Sequence, residues 1–348
     1  MKQLHVGVLF GGSSTEHEVS RKSATTILRS IPKTYKKTAI GITKAGKWYA
    51  YFGDESLIAG GEWENEPETY EIFFSSDAIL YQKDGTLLPL EIDVIFPVLH
   101  GRFGEDGTVQ GLFEMLGIPY VGCGVCASAA AMDKSMTKLL VSTAGIRQAD
   151  FVLVTRYNKN RLDDLIEQSE QKLGYPVFVK PCRSGSSVGV TKATDRSSLR
   201  EGLENALRYD DRILIEEGID ARELECAVLE AGGETVAEVG EVISALDYYD
   251  YDSKYNNPSS RTETSPDLPG ATLCEIREKA IRIFRLLDCR GLSRVDFFVD
   301  KKSGEVIFNE INTLPGFTSI SMYPMLIEKH GICRENLVDM LIREALSK

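Results

Sequence analysis

Three oxygen-bearing side chains near the end of the chain could bind a divalent cation. Asp296 lies in "RGLSRVDFFVD", and Glu310 and Asn312 lie two positions apart in "EVIFNEINTLPGF", beyond a short turn. Alternate residues of a strand project from one face, so Glu310 and Asn312 are predicted to face the same way, with Asp296 on the partner strand of a hairpin. Oxygen donors without histidine or cysteine suit Mg²⁺ or Mn²⁺.

A solvated acidic edge is the alternative interpretation of this hairpin. The residues that flank the three oxygen donors are apolar and predict a buried hairpin: Val295, Phe297, Ile307, Phe308 and Ile311. Buried carboxylates need a cation, so we expect a metal site there.

Two lysines and a glycine-rich segment could bind phosphate. Lys180 ends an apolar strand just before "SGSSVG" at 184–189, and Lys134 lies early in a predicted helix. Ammonium groups bind phosphate as point charges, and such a loop can offer backbone N–H groups. The segment lacks the GxxxxGK[ST] pattern, so it is not a P-loop. A flexible surface loop beside solvated lysines is the alternative.

Two glutamates could bind the rest of a nucleotide. Glu216 ends an apolar strand, and Glu223 follows seven residues later. A carboxylate there could accept hydrogen bonds from an adenine amino group or from ribose hydroxyls. Surface glutamates are common, so these two carry little weight alone. Together with the lysines and the hairpin, they indicate an enzyme that uses Mg-ATP.

Composition and charge exclude several other classes of protein. The 348 residues include 52 acidic and 40 basic side chains, a net charge of −12, which argues against nucleic acid or an anionic membrane as the main partner. No apolar run is long enough to span a membrane, and the first strand is too short to be a signal peptide. We expect a cytoplasmic protein whose seven scattered cysteines are reduced thiols.

The pattern of elements predicts how these groups are positioned. Strands alternate with helices in the first third of the chain, which indicates a parallel sheet with a peripheral hairpin region at 44–88. A helix is predicted at 128–145, and antiparallel strands surround a turn at Gly232–Gly233. The long polar, tyrosine-rich segment 244–270 is predicted to be a lid, because a loop of that length in a compact domain is usually functional.

Eight ordered motifs carry a family resemblance. They run from residue 11 to residue 324 and read "GGSSTEHEVS", "LHGRFGEDGTVQG", "MDK", "VKPCRSGSSVGV", "IEEGIDARELECAVL", "DYDSKY", "GLSRVDFFVD" and "NEINTLPGFTSISMYP". The set resembles the ATP-grasp enzymes and, within them, the D-alanine–D-alanine ligases.

The resemblance implies a fold and a domain organisation. The fold class is α/β, with an α+β C-terminal part. An N-terminal Rossmann-like parallel-sheet domain that binds substrate (1–121) precedes a two-lobed ATP-grasp fold. The central lobe covers 122–212, and the C-terminal lobe covers 213–348 and includes the lid at 244–270.

The resemblance also implies an activity. The family joins two D-alanines at the expense of ATP, through a D-alanyl phosphate, to make a peptidoglycan precursor. The cofactors implied are ATP as co-substrate and two Mg²⁺ or Mn²⁺ ions, and the assembly implied is a homodimer.

Residue roles follow from the matching motifs. ATP would be bound by Lys134, Lys180, Ser186, Ser187, Glu216 and Glu223. The two metal ions would be bound by Asp296, Glu310 and Asn312. Arg294 and the backbone N–H of Gly316 would stabilise the oxyanion of the tetrahedral intermediate. A purely structural ion pair with Asp296 is the alternative for Arg294.

The resemblance assigns the amino-acid substrates to other residues. Glu16 would bind the ammonium of the first D-alanine, with His100 nearby. Ser186 and Tyr255 would connect with Glu16 and close the lid, which also carries Lys254. Ser321 and Met322 would line the subsite for the second D-alanine.

The second substrate has an alternative. Lys254–Tyr255 argues against D-lactate, because D-lactate-using relatives carry a histidine there. D-serine-using relatives commonly have arginine where this chain has Met322, which favours D-alanine. The "RSG" of the phosphate loop resembles the vancomycin-resistance branch, so a D-alanine–D-serine ligase remains the alternative. A carboxylase-like ATP-grasp enzyme would have no use for "TEHEVS", and a non-catalytic regulator would not need the metal ligands.

Overall fold

A computed structural model describes residues 3–75, 78–243 and 261–347 of the chain. Of the predicted lid, only 261–270 falls within these ranges. Lys254 and Tyr255, and with them the predicted closure over the substrate, lie outside the described residues.

The N-terminal domain is built on a seven-stranded sheet of order β6-β5-β4-β3-β2-β1-β7. Its strands are β1 (His5–Gly11), β2 (Lys36–Ile42), β3 (Trp48–Tyr51), β4 (Thr69–Phe74), β5 (Ile79–Lys83), β6 (Thr86–Pro89) and β7 (Val94–Val98). β1 is parallel to both β2 and β7, as predicted, and every residue of β1 is buried. The predicted hairpin region at 44–88 is confirmed, because β3 to β6 extend the sheet in antiparallel fashion.

The helices of this domain are α1 (His17–Ser30), α2 (Ser56–Gly60) and α3 (Thr108–Leu116). The carboxyl ends of parallel strands meet at one edge of a sheet, where ligands commonly bind. The turn between β1 and α1 carries Glu16, and the loop after β7 carries His100. Gly11 has φ +92°, and a Cβ there would lie 2.1 Å from the carbonyl oxygen of Ile42, so only glycine fits this turn.

The central lobe contains a four-stranded antiparallel sheet of order β10-β9-β11-β8. Its elements are α4 (Val125–Met132), α5 (Lys134–Thr143), β8 (Phe151–Val154), α6 (Leu162–Lys172), β9 (Val177–Pro181), β10 (Thr191–Ala193), α7 (Arg196–Ala206) and β11 (Ile213–Glu217). The prediction of one helix at 128–145 is wrong. The helix breaks at Asp133, whose carboxylate accepts the backbone N–H groups of Ser135 and Met136 and so caps a new helix.

The C-terminal lobe contains a five-stranded antiparallel sheet of order β14-β13-β12-β15-β16. Its elements are β12 (Ala221–Ala231), β13 (Glu234–Ile243), β14 (Arg261–Glu263), α8 (Gly270–Leu286), β15 (Gly291–Asp300), β16 (Val306–Asn312), α9 (Met322–Lys329) and α10 (Arg334–Leu346). The predicted hairpins, β12–β13 and β15–β16, are confirmed.

One hydrophobic core joins the first and last parts of the chain. Val8 and Phe10 of β1 belong to the same buried cluster as Tyr323 of α9 and Leu341 of α10. The C-terminal helices therefore pack on the N-terminal sheet, and this packing fixes the two parts relative to each other. None of the helices in the described ranges combines the length and apolar character that a bilayer crossing requires.

Candidate active site

The predicted metal ligands lie together on the β15–β16 hairpin. Asp296 pairs with Glu310, Arg294 pairs with Asn312, and a β-bulge follows Asp296. The Asn312 amide nitrogen lies 3.0 Å from the Asp296 carboxylate. Within the described ranges, no group of three or more His, Cys, Asp or Glu side chains is arranged to bind a metal ion. The predicted set has only two carboxylates, and its third member is the Asn312 amide.

Arg294 already neutralises one of these carboxylates. Its Nε and Nη2 atoms each donate to Asp296 at 2.8 Å, and Nε also lies 3.2 Å from the carboxylate of Glu225 on β12. Although burial opposes the charged form, the neighbouring carboxylates raise the pKa of Arg294 well above its ordinary value. The donor set fits a divalent cation by its chemistry, because carboxylate and amide oxygens are the hard ligands that Mg²⁺ prefers.

Lys134 connects the hairpin to the glycine-rich loop. It is the first residue of α5, and its ammonium lies 3.1 Å from Glu310 and donates to the carbonyl oxygen of Ser184 at 3.0 Å. Burial alone would lower the pKa of Lys134, but the charge of Glu310 outweighs it and raises the pKa. The predicted phosphate ligand and a predicted metal ligand are therefore in direct contact.

Lys180 lies in a second buried cluster. Its ammonium is 2.5 Å from one oxygen of Glu216, and Lys138 is 2.9 Å from the other oxygen. Burial opposes ionisation of Glu216, but the two lysines outweigh it and lower its pKa to about 2. Glu216 is thus a buried anion held between two cations that belong to β9 and α5.

The glycine-rich loop reaches the N-terminal domain at Glu16. A Cβ built on Gly185 would lie 3.0 Å from the Glu16 carboxylate, and one built on Gly101 would lie 3.2 Å away. Ser186 and Ser187 have φ values of +49° and +57°, which non-glycine residues adopt at some cost in energy. The structure therefore brings the predicted ammonium ligand next to the predicted phosphate loop.

His100 and Glu105 lie beside Glu16 and contact the C-terminal lobe. His100 is buried, with Nδ1 3.0 Å from the carbonyl oxygen of Leu314 and Nε2 3.4 Å from the Ser23 hydroxyl. Burial lowers the pKa of His100, so the ring is neutral at pH 7. Burial and the nearby Glu16 raise the pKa of Glu105 to about 7.

The remaining predicted residues lie around this centre. Gly316 follows β16, and a Cβ on it would lie 2.8 Å from the Ser321 hydroxyl, which also accepts a hydrogen bond from the backbone of Thr318. Met322 is only 3% exposed, and its sulfur would lie 2.6 Å from a Cβ on Gly240, so it packs in the core beneath the surface. Glu223 lies on β12, in a different sheet from Glu216.

Four residues that contact the candidate active-site groups were not identified from the sequence. Lys138 lies four residues after Lys134 on the same helix, and Glu225 lies two residues after Glu223 on the same strand, so helical and strand periodicity could have identified both. Ser23 and Glu105 gave no comparable signal, because their partners are remote in the chain.

Two family models match nearly the whole chain. The model described as "D-ala D-ala ligase N-terminus" matches residues 5–123, and that described as "D-ala D-ala ligase C-terminus" matches residues 140–343.

Curated relatives agree with these models. The D-alanine–D-alanine ligase of Acetivibrio thermocellus is 48% identical over an alignment of 361 residues, gaps included. The alignment covers 98% of this chain and 95% of that protein. The enzyme of the same name from Ruminiclostridium cellulolyticum is 47% identical over 363 residues, which cover 100% and 96% of the two chains.

Solved structures show the same fold. The VanG D-Ala:D-Ser ligase from Enterococcus faecalis matches with a TM-score of 0.90 and 37% identity, covering 99% of this chain and 100% of that one. The D-alanine–D-alanine ligase from Coxiella burnetii matches with a TM-score of 0.85 and 34% identity, covering 100% and 95% of the two chains.

Proposed function

This chain belongs to the D-alanine–D-alanine ligase family, and on that premise we propose that it carries out the ATP-dependent joining of two D-alanines. The proximity of the Glu16 carboxylate to Gly185 gives this proposal its main structural support. A carboxylate suited to an amino-acid ammonium lies there against a loop suited to phosphate. A bound amino acid can therefore present its own carboxylate to a nucleotide.

The first step is transfer of a phosphoryl group. Glu16 binds the ammonium of the first D-alanine, and a carboxylate oxygen of that D-alanine attacks the γ-phosphorus of ATP. The bond to the β-γ bridging oxygen breaks, ADP leaves, and D-alanyl phosphate forms. Lys134 and Lys180 neutralise the phosphates, since such transfer depends on positioning and charge more than on covalent help.

The second step forms the peptide bond. The neutral amine of the second D-alanine attacks the carbonyl carbon of D-alanyl phosphate, and the carbonyl oxygen becomes an oxyanion. Arg294 and the Gly316 N–H stabilise this oxyanion, because both are donors fixed before the reaction. Phosphate then leaves with the electrons of the C–O bond, and the proton that the amine loses goes to the departing phosphate.

The hairpin supplies the ligands for two Mg²⁺ or Mn²⁺ ions. Asp296, Glu310 and Asn312 would hold them, and the ions would supply positive charge beside the phosphates. Ser186, Ser187, Glu216 and Glu223 complete the ATP site in this proposal. Lys254 and Tyr255 serve the lid, Ser321 serves the second substrate, and Met322 supports that subsite from the core beneath it. A cytoplasmic homodimer is part of the same proposal.

A product assay tests the proposed function. The protein is incubated with ATP, Mg²⁺, D-alanine and D-serine, and the dipeptides are identified by mass spectrometry. We expect D-alanyl-D-alanine to predominate. The similarity to the VanG D-Ala:D-Ser ligase makes D-alanyl-D-serine the second candidate product. Predominance of that dipeptide would replace the proposal, and the absence of both dipeptides would refute it.

Replacement of Glu16 by glutamine is expected to weaken binding of the first D-alanine. The amide keeps the shape but removes the negative charge, and a hydrogen bond to a charged group contributes about 1.5–3 kcal/mol. The KM for the first D-alanine should therefore rise about 10- to 100-fold. The Kd for ATP should remain unchanged in a fluorescence or calorimetric titration.

Glu18→Gln is the matched control for this variant. Glu18 lies two residues away, and its carboxylate is 2.5 Å from the exposed Lys44. The Glu18→Gln variant should leave both the KM for the first D-alanine and the Kd for ATP unchanged. Loss of ATP affinity in Glu16→Gln would show that the turn after β1 serves the nucleotide instead.

A further inference from the structure

The turn that carries Gly316 is held by the N-terminal domain. This turn, 313–318, connects β16 to α9 and so belongs to the C-terminal lobe. The backbone N–H of Leu314 donates to Glu105 at 3.1 Å, and that of Phe317 donates to the Ser23 hydroxyl at 3.1 Å. His100 Nδ1 donates to the Leu314 carbonyl at 3.0 Å. Three side chains of one domain therefore bind the backbone on both sides of Gly316.

The three side chains also support one another. The second oxygen of Glu105 accepts the backbone N–H of Gly101 at 2.9 Å, which fixes its carboxylate. Since the Ser23 oxygen accepts from Phe317, its hydroxyl proton is available to His100 Nε2, 3.4 Å away. His100 is then neutral, with its proton on Nδ1. Both of its ring nitrogens form hydrogen bonds within the protein, Nδ1 to Leu314 and Nε2 to Ser23.

Gly316 itself is left available between these anchors. Over the part of the chain that the structure describes, its backbone N–H donates to no protein acceptor. The residues on either side, Pro315 and Phe317, are buried, whereas Gly316 is partly exposed. The anchors therefore fix a donor that remains free for a ligand oxygen.

We propose that Glu105 is a positioning residue that, with Ser23 and His100, sets the Gly316 N–H for the oxyanion. This inference rests on the proposed function, because it uses the role given to Gly316 there. Glu105 contacts no reacting atom and acts through the Leu314 backbone. An oxyanion donor works only where the oxyanion forms, so a displacement of the turn lowers the rate more than it lowers substrate affinity.

The test compares three variants of the full chain. Glu105→Gln keeps the side-chain shape but replaces one of the two accepting oxygens by an NH₂ donor. The amide can therefore accept only one of the N–H groups of Leu314 and Gly101. Ser23→Ala removes the acceptor of the Phe317 N–H. Glu114→Gln is the matched control, since Glu114 accepts from Tyr120 at 2.7 Å within the N-terminal domain and away from the turn.

Two readouts separate positioning from general damage. Hydrogen–deuterium exchange of peptides covering 313–318 should be about tenfold faster in Glu105→Gln and Ser23→Ala, and unchanged in Glu114→Gln. The kcat for dipeptide formation should fall about 10- to 100-fold in the first two variants, with the KM for ATP unchanged. Affinity for a phosphinate analogue of the tetrahedral intermediate should fall by the same factor as kcat.

The possible outcomes each decide the inference. Unchanged exchange at 313–318, or faster exchange with wild-type kcat, would overturn it. A parallel loss of ATP affinity would also overturn it, by showing that the variants damage the fold generally. A wild-type protein that forms no dipeptide would refute the proposed function, whereas the exchange data would still decide whether Glu105 holds the turn.

Discussion

Replacement of Arg294 by lysine is expected to reduce kcat for dipeptide formation about 10²- to 10³-fold, the usual effect of removing one oxyanion donor. Lysine keeps the positive charge but not the planar arrangement of donors. Arg294 uses Nε and Nη2 to hold Asp296, both at 2.8 Å, and a single ammonium cannot do so and also reach a substrate oxygen. Steady-state kinetics with saturating ATP and D-alanine measures the effect.

Arg222→Lys is the matched control for this prediction. Arg222 forms the same two-point contact with Glu241, at 2.6 Å for each donor, in the same five-stranded sheet. If Arg294 only forms a structural ion pair, the two variants should lose similar amounts of stability and neither should lose kcat. A kcat loss confined to Arg294→Lys would distinguish the catalytic role from the structural one.

Replacement of Glu216 by glutamine is expected to lower the free energy of unfolding by about 3 kcal/mol. The change leaves Lys138 and Lys180 buried next to each other without a counter-charge, and breaking a buried ion pair costs about 3–5 kcal/mol. Denaturant unfolding followed by circular dichroism measures the loss. Glu217→Gln is the control, since the contact between Glu217 and Arg147 is partly exposed and contributes about 1 kcal/mol or less.

The same prediction has a signature in pH. The pKa of Glu216 in the folded protein is about 2, below its ordinary value of 4.5. The unfolded chain therefore binds the proton more readily, and stability is lost as pH falls from about 4.5 towards 2. Glu216→Gln should lack this part of the acid-induced loss. An identical pH dependence in the wild type and the variant would contradict the buried ion triad.

The hairpin could be predicted from the sequence because its information is local. Asp296, Glu310 and Asn312 lie within 17 consecutive residues, and strand alternation fixes which side chains share a face. The apolar residues between them indicated burial. The structure confirms the hairpin, in which Asp296 pairs with Glu310.

The partners of the charged groups could not be predicted in this way. Lys180 and Glu216 lie on neighbouring strands of a sheet whose order depends on tertiary packing. The contacts that Leu314 makes with Glu105 and Phe317 makes with Ser23 span 209 and 294 residues, so no local pattern indicates them. The break at Asp133 was missed because a capping side chain ended a segment whose periodicity continues.

The contacts of Lys134 and Lys180 set how nucleotide and metal influence each other. On the proposed assignment, a triphosphate must compete with Glu310 and Glu216 for these two lysines. Binding is then an exchange of partners. The measured binding free energy is the difference between the free energies of the lysine–phosphate and the lysine–carboxylate ion pairs. Each exchange at Lys134 releases the Glu310 carboxylate to a divalent cation. We therefore expect ATP and Mg²⁺ to bind with positive heterotropic cooperativity, each raising the affinity for the other by the same factor.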